Sequence, residues 1–517
     1  MKFHWLDIAI LITYLLLLVS MGIYFSRRNT STENYFVGSR SYSGWVIGLS
    51  MVGTSISSVT FLAYPADSFK TAWLRFLPNL MLPVVIVTTA YFFLPFFRRN
   101  NIISAYEYLE DRFGPSVRIY GAVTFFIGQL VRISLILYLL SLMVNEVTNL
   151  SVIQSILLAG FIVGLYTIIG GIEAVIWTDV IQTFTLLSGG VICLVVIIHQ
   201  LPGGLSQIMD VAIANNKLTF SELKNGILQP VSWGISLADK TGIMMLLLGL
   251  SWFFQEYVTN QNMIQRYAAA KNVQEARKAM YISSINIPIW AFFMFLGTAL
   301  YVFFQVFPTT AAAEMLDGTQ KAEDILPYFI MHNLPPGVAG LIIAAAIAAA
   351  MSSLDSSINA MATVGVHDIY RRHWVKDRED KHYLHVAWCL ATAVTIAMII
   401  GAYILTQAQT KTLQDTYNTV GSVVMGGMLG LYLLGFCTRR GGAKAVWFAV
   451  VLTVLFSLWT VLAKQGLLPA WLHVPFDLYY TGIIGQIVMF AGIFTAALLL
   501  SDGKKPLPNL TLWTQGK

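Results

Sequence analysis

The sequence predicts an all-α integral membrane protein with about 13 transmembrane helices, built on a 5+5 inverted repeat with flanking helices. Three observations predict it. The 517 residues are 56% hydrophobic and only 11% charged, with a mean hydropathy of +0.68, whereas soluble domains carry about 25% charged residues. Apolar runs of about 20 residues, the length that crosses a hydrocarbon core of about 30 Å, recur along the chain. Two of those runs, five spans apart, are interrupted by polar residues, as expected of discontinuous helices at corresponding places in two repeats.

Taken in order, spans are expected over residues 5–25, 44–66, 77–97, 118–146, 151–170, 174–199, 241–258, 279–306, 336–365, 384–405, 417–437, 443–463 and 478–500. The first run has no basic stretch before it and is followed by Arg27 and Arg28, so it reads as a span rather than a cleaved signal. Residues 1–43 then form an extra N-terminal helix with its cytoplasmic loop, and 44–200 the first repeat. Residues 201–240 form an extracellular loop, 241–437 the second repeat, and 438–517 two C-terminal helices and a tail. The loops at about 200–240 and 307–335 mix apolar and polar residues and suit short interfacial helices.

Loop charge sets the orientation. One set of connecting segments holds 22 Lys and Arg, Arg112, Arg118 and Arg266 among them, and the opposite set holds nine. Basic loops stay in the cytoplasm. The N-terminus is therefore expected outside and the C-terminus inside, with an odd number of spans across the inner (plasma) membrane. Cys193, Cys389 and Cys437 lie in or beside apolar segments, without metal-like or redox-like spacing, and read as small core residues. No loop has the size of a catalytic module, and the sequence has no P-loop or zinc-ligand cluster. Neither an enzyme nor a nucleic-acid-binding protein is expected.

Polar groups inside apolar runs carry the functional signal. Arg132 stands near the middle of a run at about 119–143 that holds no other charge. A membrane Arg costs at least about 2.5–3.5 kcal/mol at the bilayer centre, and a guanidinium cannot deprotonate to escape that. Arg132 either pairs with a fixed internal acid or receives the carboxylate of a substrate. In the second span, Thr54, Ser55, Ser57, Ser58 and Thr60 follow Gly53. They form a buried polar face, or a broken helix whose carbonyls coordinate a cation and whose hydroxyls hold a substrate, with Gly53 making the unwinding cheap.

In the ninth span, Ser352 and Ser356, and likewise Ser353 and Ser357, share faces at i, i+4 spacing, with Asp355 between them. The preceding Ala348, Ala349 and Ala350 permit close helix packing. Hydroxyls with a carboxylate suit a hard cation. Asp179, at the start of the sixth span, is a further candidate ligand, whereas Glu173 reads as a solvated charge at a helix end. Gln255, Glu256, Asn260, Gln261 and Asn262 interrupt the seventh span.

Four stretches resemble the sodium:solute symporter family, which includes the sodium-glucose, iodide, proline and sialic-acid transporters. They are Tyr106–Phe113 (YEYLEDRF), Gly170–Asp179 (GGIEAVIWTD), Asn260–Arg266 (NQNMIQR) and the serine-rich ninth span, in order across roughly residues 40–440. The resemblance implies a LeuT-like inverted-repeat fold and sodium-coupled import by alternating access. It implies one sodium held by Gly53, Ile56, Ala349, Ser352 and Ser353. As in some bacterial members, it implies a second at Asp179, Ser352, Asp355 and Ser356. In the sialic-acid branch an Arg on the third core helix meets the substrate carboxylate. Arg132 stands at that place, with Ser55, Ser57, Thr60 and Asn79 as the remaining polar contacts. That branch has Thr and Gln where Ser55 and Asn79 stand, and Ser where Asp355 stands. The expectation is a sodium-driven importer of a small organic anion, foremost an acidic sugar such as sialic acid (N-acetylneuraminate). Its partners are one or two sodium ions, the substrate and membrane lipid. The alternatives are sodium-coupled import of a neutral sugar or monocarboxylate, with Arg132 balanced by an acid such as Glu256, and a membrane sensor.

Overall fold

A computed structural model describes residues 4–99, 102–148, 150–224, 226–407, 426–500 and 507–514. The helices that position the site are α1 (Trp5–Ser26), α2 (Gly44–Ser55), α3 (Tyr64–Lys70), α4 (Pro115–Thr148), α5 (Val152–Gln200), α6 (Gly242–Thr259), α7 (Gln261–Ala269) and α8 (Val338–Val364). Among the described residues, 10 helices are long and apolar enough to cross a membrane, or 11 with the bent pair at 44–70 taken as one span.

That is fewer than the 13 expected, and two places account for the difference. The fifth and sixth expected spans form one 49-residue segment, α5, whose single non-helical residue is Gly171 (φ 60°, ψ −164°). A straight helix rising 1.5 Å per residue would set Tyr166 and Thr178 about 18 Å apart. Yet both reach the same oxygen of Asp355, at 2.8 and 3.3 Å. The chain therefore doubles back at Gly171, where the left-handed φ favours glycine. A Cβ there would lie 2.8 Å from the Tyr35 ring. The other place is the eleventh expected span. Its residues 417–425 lie outside the described residues, and Met428–Cys437 is helical.

Both discontinuities exist, with one shift. Gly53 stays helical, and the second span breaks three residues later at Ile56 (φ −96°, ψ 121°), bending by 64°. Gly53 is instead a point of close approach. A Cβ would fall 2.7 Å from Thr183 Oγ1 and 2.9 Å from the Asp179 carbonyl oxygen. The seventh span breaks at Asn260 (φ −86°, ψ 123°), whose side chain accepts from the Asn262 amide and caps α7. The two breaks share nearly the same extended geometry at corresponding places in the two halves.

α8 is buried along nearly its whole length, as its small residues allow. Asp7 of α1 caps it. One Asp7 oxygen accepts from the Gly337 and Gly340 amides at 2.7 Å each, satisfying donors left orphaned at a helix start. The loop after α5 holds the expected helix, Gly204–Ala214, but also an antiparallel hairpin pairing Ser221–Lys224 with Ile227–Pro230, so the chain is not wholly α. The loop after Val306 holds Thr310–Asp317 and Ile325–Asn333.

Three residues assigned to cytoplasmic loops are buried. Arg112 donates to the carbonyls of Gly435, Thr438, Arg440 and Gly441, closing the end of the helix Met428–Cys437. Arg118 pairs with Glu110 and Asp368 at 2.6 Å each. Arg266 enters the core. Removing them leaves the basic residues still concentrated on that side. Glu173 is not simply solvated, because it pairs with Arg28 at 3.1 Å. Of the cysteines only Cys193 is a core residue, and Cys389 is exposed.

Candidate ion and substrate site

The first expected oxygen cluster is assembled. Ser352 of α8 sets its hydroxyl 3.0 Å from the Gly53 carbonyl, 3.4 Å from that of Ile56 and 3.2 Å from that of Ala349. The Ser353 hydroxyl lies 3.5 Å from the Thr54 carbonyl. All these residues are buried. The break at Ile56 ends the helical ladder, so the Gly53 carbonyl keeps only the Ile56 amide, at 3.3 Å, as a helical partner, and the alanine run of α8 lets the two helices close to that distance. Neutral hydroxyls and carbonyls at this spacing are a donor set suited to sodium.

The second expected cluster is linked but differently organised. Asp179 is fully buried, not at a solvated span end, and it meets Arg266. Arg266 Nη2 donates to Asp179 Oδ2 and to Ser356 Oγ, both at 2.7 Å. Its Nε donates to Ser50 Oγ at 2.9 Å, and Nη1 to the Asn262 carbonyl at 2.8 Å. Ser50 also donates to Asp179 Oδ2 at 2.6 Å. The guanidinium thus occupies the Asp179 side of the place assigned to a second ion. Asp355 faces elsewhere. Its Oδ2 accepts from Tyr166 and Thr178, and its Oδ1 from the Ser356 amide at 2.6 Å. Ser352 joins this cluster through its carbonyl, which accepts from the Ser356 hydroxyl at 2.7 Å.

Arg132 is half-buried on α4 and lines a cavity of about 60 Å³ with Tyr106, Thr124, Gln129, Gln255, Glu256 and Asn260. No ion pair joins Arg132 to another described residue. Glu256 in the same cavity accepts from Asn260 Nδ2 at 2.7 Å. Ser357 donates to Gln129 at 3.0 Å, tying this wall to α8.

The other expected substrate contacts do not line this cavity. Ser55 donates to the Met51 carbonyl at 2.8 Å, and Asn79 donates to the Tyr64 hydroxyl at 3.1 Å. Ser57 and Thr60 are buried beside the break. The cavity lies toward the loop bearing Tyr106, whereas Thr60 and Asn79 lie past the break, toward the opposite loop. Beside Tyr106, Glu107 accepts from the Ile103 and Ser104 amides at 2.8 Å and pairs with His367 at 3.0 Å. Burial pushes its carboxyl up, but His367 and the two amides outweigh that and hold it down at about 2.

Two residues that the structure places in this region, Gln129 and Arg266, were not among the expected site residues. Gln129 lies three residues before Arg132, on the same helix face. Asn262 and Arg266 stand at i, i+4, a spacing that put Arg266 on the inward face of a polar stretch.

A family model described as the sodium:solute symporter family matches residues 35–451. The sodium/sialic acid symporter NanT of Aliivibrio fischeri is 30% identical over 97% of this chain and 95% of its own length. The sodium/sialic acid symporter SiaT of Proteus mirabilis is 30% identical over 96% of each. A solved structure of a Na+-coupled sialic acid symporter, substrate-bound and outward-open, superposes with a TM-score of 0.85 at 29% identity, covering 96% of this chain and 98% of that one.

Proposed function

The chain belongs to the sodium:solute symporter family, and we propose that it imports a carboxylated sugar, foremost sialic acid, with sodium. The observation that carries the substrate class is Arg132. It is a guanidinium in mid-span, facing a cavity of mixed lining that holds Gln129, Gln255 and Glu256 beside Phe125, Trp252 and Met428, with no carboxylate ion-paired to it among the described residues. Such a group is best satisfied by a carboxylate that arrives with the cargo. The names of NanT and SiaT point to the same acid.

One sodium sits between α2 and α8 at Gly53, Ile56, Ala349, Ser352 and Ser353. A second belongs to the region of Asp179, Ser352, Asp355 and Ser356. Each sodium entering down 100 mV supplies about 2.3 kcal/mol, before any concentration gradient. Sodium favours the state in which α2 and α8 are joined, and substrate favours the state that encloses it, so each ligand strengthens the other's binding. Ser55, just before the break, and Ser57, Thr60 and Asn79, beyond it, meet the substrate in the outward-open state. Residues 44–200 and 241–437 act as the two repeats, joined by 201–240 and flanked by 1–43 and 438–517. Loop charge supports a plasma-membrane orientation with the N-terminus outside and the C-terminus in the cytoplasm.

The test is uptake into proteoliposomes under a sodium gradient. Arg132→Ala is expected to abolish uptake of carboxylated sugar at unchanged expression. Uptake with unaltered apparent affinity would remove Arg132 from the substrate site. Glu256, in the same cavity, favours a second reading in which a neutral sugar binds and Glu256 balances Arg132. Thermal shifts with sialic acid, galactose and lactate, with and without sodium, separate the two.

A further inference from the structure

α8 carries a second polar centre, on the face turned away from the broken helix. Asp355 is fully buried there, against Tyr166 and Thr178. Gln182 stands one turn past Thr178 on α5, and Tyr14 reaches in from α1. The Gln182 amide lies beside the hydroxyls of both Tyr14 and Tyr166. Yet Gln182 Oε1, Gln182 Nε2 and Tyr14 Oη have no hydrogen-bond partner among the described residues, with Gln182 1% and Tyr14 8% exposed. Buried polar atoms without partners are rare in folded proteins.

Charge is unbalanced at the same place. Asp179, Asp355 and Arg266 act on one another. The Arg266 donors go to Asp179, Ser50, Ser356 and the Asn262 carbonyl, and none goes to Asp355. Arg266 can balance only one of the two carboxylates, so an ionised Asp355 would need a cation of its own, which the neutral hydroxyls around it do not supply.

We propose that a sodium ion binds Asp355 between α8, α1 and the two halves of α5, with Tyr14 Oη, Tyr166 Oη, Thr178 Oγ1 and Gln182 Oε1 as neutral ligands. This rests on the sodium coupling proposed above. It moves the second ion away from Asp179, where Arg266 already supplies the positive charge. A hydroxyl can donate its proton to Asp355 while its lone pairs face the ion, and one carboxylate with several neutral oxygens suits a hard cation. The N-terminal helix α1 thereby becomes part of an ion site.

The test is equilibrium binding of radioactive sodium to the purified full chain without substrate, so an error in the substrate class leaves it intact. The wild type is expected to hold two ions and Asp355→Asn one. Tyr14→Phe and Gln182→Met, which keep the bulk of the side chain, are expected to weaken one of the two sites about fivefold, as for loss of one net polar contact. Two ions bound with unchanged affinity in all three variants overturns this inference alone. One ion in the wild type also overturns it. No sodium bound at all overturns the coupling as well.

Discussion

The buried pair of Arg266 and Asp179 joins α7 to α5, with Ser50 of α2 and Ser356 of α8 in the same network. Arg266→Met would leave the Asp179 carboxylate wholly buried with only the hydroxyls of Ser50 and Thr54, at 2.6 and 3.3 Å, as donors. Breaking a buried pair from one side costs about 3–5 kcal/mol, because the remaining charge has no counterpart. Asp179→Asn strands the guanidinium instead. Arg266 keeps the Asn262 carbonyl and two hydroxyls, so this variant belongs at the lower end of that range. Removing both charges removes the uncompensated one, so the double variant should cost less than the sum, by about 2–3 kcal/mol. SDS titration of the detergent-solubilised protein reads all four corners of the cycle. Additivity within about 0.5 kcal/mol would show no coupling, and the claim that Arg266 supplies the positive charge on the Asp179 side would fail with it.

Ser352→Ala removes the oxygen that meets three carbonyls and should raise the sodium half-saturation of uptake about tenfold, equivalent to about 1.4 kcal/mol, without reordering substrates. An unaltered sodium curve would take Ser352 out of the ion site. Gly53→Ala forces a Cβ against the Asp179 carbonyl and should destabilise by about 1–3 kcal/mol. Gly482→Ala, where a Cβ meets nothing within 4 Å, is its control, and equal unfolding midpoints for the two would refute the close approach. Glu107 is held at about 2 against an ordinary 4.5. Its contribution of about 3 kcal/mol is therefore present above about pH 4.5 and lost as pH falls toward 2. Glu107→Gln should lower stability at neutral pH and flatten the fall in acid, read from melting midpoints across that range. A parallel fall in variant and wild type contradicts the assignment.

Much of the fold was legible because a membrane restricts a chain to a few solutions. Apolar length gave the spans, and polar interruptions gave the breaks near Ile56 and at Asn260. The convergence of Ser352 and Ser353 on the second span was what the family resemblance implied. The reversal at Gly171 falls between the fifth and sixth expected spans, 151–170 and 174–199. Two things were illegible for physical reasons. Gly53 was read as an unwinding residue, although its missing Cβ serves packing against α5, and composition cannot separate those uses. Arg266 was counted as a loop charge because it follows a polar run next to a basic loop. Its burial depends on Asp179, 87 residues away in sequence, and no local pattern reports such a pairing.

The arrangement of these contacts bears on how the two broken helices move. α2 is held to α8 by Ser352 at both the Gly53 and Ile56 carbonyls, and by Thr54 against Ser356 at 3.2 Å. α7 is held to α8 by Arg266 on Ser356 and by Gln265 on Asn359 at 2.8 Å. The direct α2–α8 contact consists of neutral oxygens, so with sodium at the proposed site its strength would depend on an ion that comes and goes. The α7 contact carries its cation covalently, as the Arg266 guanidinium. Loss of the proposed sodium would loosen the direct α2–α8 contact, while α7 stays clamped to α8 and α2 keeps its link to Arg266 through Ser50 at 2.9 Å. A ligand can move an equilibrium only by its differential affinity for the two states. With sodium at the proposed site, its leverage on the transport cycle would be concentrated at the break after Ser55, and the break at Asn260 would follow through Ser356, the residue the two contacts share.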